Sequence, residues 1–231
     1  MTSASNVAVD NLGERLAREG IPVIRIGHPA RVAENMIPHA LGVILGSEKD
    51  ELEKIKVDLE RVKNELHSKS FKNRPEIRKR YEQELKLLQQ KRDKVQAVLK
   101  RLSKAHLLKA SVVLSTLVGC REKGPLQHLP EDHFKTTVID ECGQAMEMAC
   151  WIAIPKAPRL ILAGDHLQLP PTVISDKAKE KLSISLMERL RERFFYGAGK
   201  SSVFHMLNVR NKNKKILIYY SNKYFLHVGP V

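Results

Sequence analysis

The chain has 231 residues, of which 42% are hydrophobic, so it is long enough for one large domain with a packed core. Its 40 lysines and arginines exceed its 26 aspartates and glutamates; the net charge of +14 favours a polyanionic partner, although a merely solvated basic surface gives the same balance. Three cysteines without a CxxC pair argue against a disulfide framework or a zinc site, and no apolar run approaches the roughly 20 residues of a membrane span. We therefore expect a soluble, intracellular protein.

The first predicted elements are a helix and a strand. Ser5 and Asn6 can cap a helix that carries an apolar stripe and stops at Gly20. The apolar run 21–26 has the character of a strand, and a Gly-His-Pro turn ends it. A strand that follows a helix indicates an α/β sheet.

Residues 48–104 have a different character. Apolar residues recur there at spacings of three and four in two stretches, which predicts two antiparallel helices. The segment contains 18 lysines and arginines against 11 aspartates and glutamates, a balance of +7 and half the excess of the whole chain. We interpret it as an inserted basic helical hairpin, which either binds nucleic acid or forms a structural arm with solvated charges.

The α/β pattern resumes after the hairpin. Strands and helices alternate, which predicts a parallel, doubly wound sheet; the predicted segments are 111–115, 136–139, 144–152, 159–163 and 184–195. From residue 196 onward the sequence shows no clear period, and we assign no element there.

Two carboxylates follow the predicted strand 136–139. Ligands of open α/β sheets bind at the carboxyl ends of the strands, where Asp140 and Glu141 would lie. An aspartate in that position can hold Mg²⁺, and the adjacent glutamate can orient and deprotonate an attacking water. A solvated acidic pair at a strand end is the alternative.

A second set of polar residues follows the strand 159–163. Gly164 allows a tight turn, and Gln168 can hydrogen-bond a phosphate oxygen or a water without a fixed charge. Such a glutamine is suited to sensing a γ-phosphate. Asp165 and His166 invite comparison with a catalytic dyad, but no nucleophile motif accompanies them.

These motifs resemble those of a known family. The runs DECGQA at 140–145 and GDHLQLPP at 164–171 resemble motifs II and III of superfamily 1 helicases, and the match is closest to the immunoglobulin-mu-binding-protein-2 type, kin to the nonsense-mediated-decay helicase. Further matches follow in order over residues 2–195: SNVAVDNL at 5–12 with motif Ia, RIGHPAR at 25–31, VLST at 113–116 and SISLMERL at 183–190.

The resemblance implies a RecA-like P-loop nucleotidase fold, ATP hydrolysis with Mg²⁺, and 5′-to-3′ movement on single-stranded DNA or RNA. By the same resemblance, Asp140 would hold Mg²⁺ and Glu141 would activate the attacking water. Gln168 would sense the γ-phosphate. Gly164 and Asp165 would belong to the nucleotide site. We expect such a protein in the nucleus and cytoplasm, with no membrane partner.

The resemblance also implies a nucleic-acid surface. Ser5, Asn6 and Thr116 would lie near the nucleic-acid backbone, and the basic hairpin matches a helical insertion that borders the strand channel in this branch. The run Arg78–Arg80, which includes Lys79, is the candidate phosphate contact on the hairpin.

The chain departs from the family in two places. The phosphate-binding pattern G-x-x-x-x-G-K-[ST] does not occur; the run 197–201 comes nearest, but Phe194 stands where its first glycine belongs. Leu207–Val209 resembles the lead into a Gln-Tyr-Arg-Met motif, but Arg210 is shifted and the Gln-Tyr pair is missing. We expect an incomplete first motor domain that is itself inactive as an ATPase, or alternatively a non-catalytic nucleic-acid-binding protein.

The predicted domain organisation has four parts. A RecA-like motor domain occupies two of them, 1–47 and 105–195, and the helical hairpin 48–104 is inserted between these. Residues 196–231 form a divergent segment, which we interpret as the start of a truncated second motor domain.

Overall fold

The computed structural model describes residues 1–67, 75–165 and 169–195 and two further strands, Phe204–Met206 and Tyr224–Val228. Five parallel strands form the larger part of one sheet: β1 (Thr2–Ser3), β2 (Val23–Ile26), β3 (Val112–Thr116), β4 (Thr136–Asp140) and β5 (Arg159–Gly164). β6 (Phe204–Met206) and β7 (Tyr224–Val228) continue it antiparallel, in the order β2-β3-β1-β4-β5-β7-β6. The predicted α/β fold with a parallel, RecA-like sheet is confirmed.

Seven helices accompany the sheet in the described part of the chain. They are α1 (Asn6–Arg18), α2 (Leu41–Ile44), α3 (Gly46–His67), α4 (Pro75–Lys109), α5 (Glu147–Ala153), α6 (Asp176–Leu182) and α7 (Leu186–Phe195). Ser5 caps α1, as its residue type predicted, because its Oγ accepts a hydrogen bond from the Ala8 amide at 3.1 Å.

Apolar cores lie on both faces of the sheet. Successive residues of a strand point to opposite faces, and Val113 and Leu114 of β3 accordingly belong to different clusters. Leu114 packs with α1 through Val9 and with Met36, whereas the larger cluster on the other face includes Ile139. The sheet is therefore a central layer that is covered on both faces, and it fixes the positions of the strand ends.

The strand register brings several predicted site residues to one edge. Ser3 of β1 pairs laterally with Thr116 of β3 and with Asp140 of β4. Ile26, the last residue of β2, pairs with Ser115. Because all five strands are parallel, their carboxyl ends open on the same side of the molecule, and this is the edge at which ligands of such sheets bind.

Helices α3 and α4 form an antiparallel pair, which we call the arm. Two ion pairs link the helices, Arg61 with Glu84 (3.3 Å) and Glu51 with Lys91 (3.3 Å). The earlier residue of α3 is paired with the later residue of α4, as antiparallel helices require. A small apolar cluster of Ile55, Leu59 and Val95 lies between the helices. The two helices match the predicted hairpin but extend beyond it, from residue 46 to residue 109.

The sequence pattern missed the shortest elements. β1 has two residues and α2 four, too few to show a period. The helix predicted over 144–152 starts only at Glu147, since a 3₁₀ turn at Cys142–Gln144 comes first. Within the described residues, no helix is both long and apolar enough to cross a membrane.

Candidate nucleotide edge and basic cleft

The carboxyl end of β4 carries the two predicted catalytic carboxylates. Asp140 is the last residue of the strand, and Glu141 has φ 51° and ψ 39°, the left-handed region. Among the described non-glycine residues only Glu141 has a positive φ. A non-glycine residue held there costs about 1–3 kcal/mol, and such costs cluster at functional sites. The bend turns the chain from the strand into the Cys142–Gln144 turn.

Gly164 at the end of β5 lies against that turn. A Cβ atom at this position would come within 2.9 Å of the Cys142 amide nitrogen and 3.0 Å of the Gly143 amide nitrogen. Only glycine therefore lets the ends of β4 and β5 approach so closely. Asp165, which follows, is buried. We call Asp140, Glu141 and Asp165 the acidic edge. Gln168, the predicted γ-phosphate sensor, lies outside the described residues, as does His166.

The chemistry of this edge fits Mg²⁺ held together with a nucleotide. No cluster of three or more histidine, cysteine, aspartate or glutamate side chains that could hold a metal occurs in the part of the chain that the structure describes. Mg²⁺ in nucleotide sites takes only one or two protein carboxylates and completes its shell with water and phosphate oxygens. Asp140 is the residue that would hold it, and the bound ion would neutralise charge on the phosphates.

The three residues predicted to lie near the nucleic-acid backbone each have an intramolecular role. Ser5 caps α1, and the Oδ1 of Asn6 accepts a hydrogen bond from Arg25 at 2.8 Å. The Oγ1 of Thr116 accepts from the Gly119 amide at 3.3 Å. Because Arg25 is a donor only, it occupies the amide oxygen of Asn6 and not its Nδ2. Contact of Ser5, Asn6 and Thr116 with nucleic acid stays a prediction.

A cleft of about 690 Å³ opens beside the carboxyl ends of β2 and β3, at the root of the arm. Its walls come from the loop after β2, from the arm, and from the segment that follows β3. Among the described residues, seven basic side chains line it and no carboxylate does. We call it the basic cleft and define it by His28, Arg31, Lys49, Lys100, Arg121, Lys123 and His128.

The cations of the basic cleft are not neutralised. None of its five lysines and arginines forms an ion pair with a carboxylate of the described residues. Burial lowers the pKa of His128 from its ordinary value, and the nearby Lys100 and Lys104 lower it further. The cleft thus concentrates positive charge in a concave surface, which attracts anions.

The predicted phosphate contacts at the far end of the arm have different surroundings. Arg78, Lys79 and Arg80 are exposed in the first turns of α4, and the Nε of Arg78 lies 3.1 Å from an oxygen of Glu82. At 1.5 Å per residue, Arg78 is about 33 Å along the helix from Lys100. The structure does not bring this group into the cleft, and its binding to phosphate stays a prediction.

The basic cleft was missed by the sequence analysis. Lys49 and Lys100 lie near opposite ends of the hairpin segment, and only the antiparallel packing of α3 and α4 brings them together. The predicted antiparallel hairpin could have indicated the cleft, because such a hairpin brings the two ends of the insertion together at the surface of the domain.

Comparisons with known proteins agree with this geometry. A family model described as an AAA domain matches residues 1–176. The chain is 40% identical over 226 residues to the DNA-binding protein SMUBP-2 of Mus musculus, covering 96% of this chain and 22% of the relative. It is 35% identical over 199 residues to the DNA polymerase alpha-associated DNA helicase A of Schizosaccharomyces pombe (81% and 26%). It is 33% identical over 188 residues to the ATP-dependent helicase upf1 of the same yeast (80% and 18%).

The chain spans about a fifth of the length of the curated relatives it matches. The AAA-domain match covers most of the chain and includes the acidic edge and all the residues of the basic cleft. Together with the parallel sheet and the motifs at its carboxyl edge, this match shows that the chain belongs to the superfamily 1 helicases of the SMUBP-2 type, through their AAA domain.

Proposed function

We propose that the chain is part of an ATP-dependent helicase that moves 5′-to-3′ along single-stranded DNA or RNA, and that it is a fragment of the first motor domain, in the nucleus and cytoplasm. The observation that carries the proposal is the placement of the acidic edge and the basic cleft on the same carboxyl side of one sheet. The names and lengths of the relatives support a longer parent protein.

In this proposal the acidic edge performs ATP hydrolysis. Glu141 accepts a proton from the attacking water, and its left-handed backbone bends the chain at the end of β4. Asp140 holds Mg²⁺, and Gln168 senses the γ-phosphate. Phosphoryl transfer also needs cations around the phosphates, so a lysine loop, whose pattern this sequence lacks, has to come from the parent protein.

The basic cleft holds the nucleic-acid strand by its phosphates. Unpaired lysines and arginines release condensed counterions when they bind phosphates, which gives salt-dependent affinity. Among the described residues no Phe, Tyr or Trp lines the cleft, so its main chemistry toward a strand is charge. Binding at this site is therefore largely independent of base sequence.

An ATPase assay with and without single-stranded DNA tests the proposal. The parent protein should hydrolyse ATP faster when the strand is present, and the isolated chain should bind the strand without turnover. If the parent protein binds the strand but hydrolyses no ATP, the alternative of a non-catalytic nucleic-acid-binding protein is correct.

Strand displacement tests the direction of movement. The parent protein should displace the shorter strand of a duplex with a 5′ single-stranded extension and leave its 3′-extended counterpart intact. If the shorter strand were displaced only from the 3′-extended duplex, the protein would move in the direction opposite to the one proposed.

A further inference from the structure

A buried ion pair lies behind one wall of the basic cleft. The Arg25 side chain in β2 is 0% exposed and the Asp10 side chain in α1 is 5% exposed, and Arg25 Nε lies 2.6 Å from Asp10 Oδ1. Taking two charges out of water costs several kcal/mol each, and a buried pair often gives no more stability than an apolar pair of similar volume. The presence of an arginine and an aspartate at these two buried positions therefore needs a reason other than the stability of the fold.

The remaining hydrogen bonds of the pair go to the two ends of one loop. Arg25 Nη1 donates to the carbonyl oxygen of Ile26 at 2.5 Å, and Asp10 Oδ2 accepts from the amide of Ala33 at 2.8 Å. The segment between these two bonds is residues 27–32, which we call the rim loop. One buried ion pair thus holds both the entry and the exit of the rim loop.

The rim loop presents one guanidinium and one imidazole to the basic cleft. His28 and Arg31 are both exposed and both line it. His28 Nδ1 accepts from the Ala30 amide at 3.2 Å, so the ring proton of the neutral imidazole is on Nε2, which becomes a donor. Gly27 opens the loop directly over the guanidinium, since a Cβ atom there would lie 3.1 Å from Arg25 Nη1.

We propose that Arg25 and Asp10 are positioning residues for strand binding: their ion pair holds the rim loop so that Arg31 and His28 contact phosphates of a nucleic acid in the basic cleft. Arg25 also donates to Asn6 Oδ1 at the start of α1, so one guanidinium joins the rim loop to the first turn of that helix. The inference rests on the proposed function and adds the residues that shape its binding site.

The test is binding of a fluorescent oligothymidylate to the chain across a salt series. Arg31→Ala removes one phosphate contact, so affinity should fall about fivefold at 0.1 M salt and the salt slope should become shallower by about 0.7. Arg18→Ala is the matched control, because Arg18 is exposed, pairs with Glu14 and lies outside the cleft. It should bind like the wild type.

The positioning role is tested by replacing both charges with apolar residues. The double variant Asp10→Leu, Arg25→Met removes both bonds to the rim loop, while paired apolar replacement of a buried ion pair commonly preserves the fold. Its affinity should also fall about fivefold at 0.1 M salt, and adding Arg31→Ala should cause no further loss, because the freed loop no longer places Arg31.

A second variant leaves both residues of the ion pair in place. Ala33 has φ −61° and ψ 148°, and Val32 before it is extended, so proline fits at position 33. Ala33→Pro deletes only the amide that Asp10 accepts from. We expect a thermal unfolding midpoint lowered by no more than the loss of this one hydrogen bond, and weaker binding with a shallower salt slope.

The outcomes separate this inference from the proposed function. If Lys100→Ala and Arg31→Ala weaken binding but Ala33→Pro and a folded double variant bind like the wild type, the pair is only structural and the inference is wrong. If the wild-type chain shows no salt-dependent binding, or if Lys100→Ala and Arg31→Ala leave it unchanged, the cleft is not a strand site and both proposals fail.

Discussion

The arm and the cleft at its root differ in how their cations are paired. Along the arm, five cations lie within 4.0 Å of a carboxylate (Lys56, Arg61, Arg78, Lys91 and Arg92), whereas others, Lys79 and Arg80 among them, have no such ion pair with a described residue. In the basic cleft, at the root of the same helices, no lysine or arginine has such a partner among the described residues. Net charge alone is therefore a poor guide to a binding surface, because a cation that already has an intramolecular partner gains less from a phosphate.

The carboxyl edge of the sheet shows a second contrast. The ends of β4 and β5 carry the acidic edge, whereas the ends of β2 and β3 open on the basic cleft. β1 lies between them, with Ser3 beside both Thr116 and Asp140. Two sites of opposite charge are thus held by one rigid layer, and substitutions in one should leave the other intact.

The largest expected effect is a loss of ATP turnover at the acidic edge without a loss of strand binding in the basic cleft. In a parent protein that carries the lysine loop, Glu141→Gln keeps the shape of the side chain but removes the base. ATP turnover should fall by about 10²- to 10⁴-fold, while oligonucleotide affinity stays unchanged. The measurement is steady-state ATP hydrolysis beside fluorescence anisotropy of a labelled strand. Near-normal turnover would show that Glu141 does not activate the water.

The next effect compares the cleft with the tip of the arm. A variant with Lys100, Arg121 and Lys123 changed to Ala loses three unpaired cations of the cleft. Its affinity for a single strand should fall roughly a hundredfold at 0.1 M salt, with a slope shallower by about 2. The matched control changes Arg78, Lys79 and Arg80 to Ala and removes the same charge. We expect a smaller loss there, and an equal or larger one would favour the tip as the main binding surface.

A smaller effect concerns the packing of the acidic edge. Gly164→Ala places a methyl group 2.9 Å from the backbone nitrogen of Cys142, so the turn after Glu141 has to shift. We expect a loss of about 1–3 kcal/mol in the free energy of unfolding, measured by denaturant titration. Oligonucleotide affinity of the folded variant should be unchanged. Wild-type stability would mean that the two strand ends do not pack this closely.

The smallest effect is a pH dependence of strand binding. Burial together with Lys100 and Lys104 lowers the pKa of His128, and a bound phosphate would raise it again. The complex then holds more protons than the free chain, so affinity should rise as the pH falls below about 6.5, the ordinary histidine value. His128→Gln should reduce this rise by a few-fold at most, since His28 also lines the cleft. An unchanged pH profile in His128→Gln would place the phosphates away from this residue.

Much of the fold could be predicted from the sequence, because apolar runs such as 111–115 and 136–139 are visible there, and the observed strands 112–116 and 136–140 lie within one residue of them. The cap at Ser5 was predictable for the same reason, since it depends on a local residue type. The position of Asp140 and Glu141 was predictable as well, because Asp140 ends an apolar strand and Glu141 follows it.

Features made by distant residues could not be predicted in this way. The basic cleft joins Arg31, Lys49 and Arg121 from three separate segments. The tight contact of Gly164 with the turn after Glu141 depends on how two strand ends pack, whereas the sequence had indicated a turn and a nucleotide-site residue at this position. The pairing state of each cation also required coordinates, since Arg78 and Lys100 look alike in the sequence.

Hydrogen exchange of the isolated chain, with and without saturating oligothymidylate, tests the central claim most directly. If the basic cleft holds the strand, backbone amides in the rim loop 27–32 and in the cleft-lining segment 118–128 should become protected, and those around 78–80 should not. Protection confined to the tip of the arm, or no change in either cleft segment, would contradict the account.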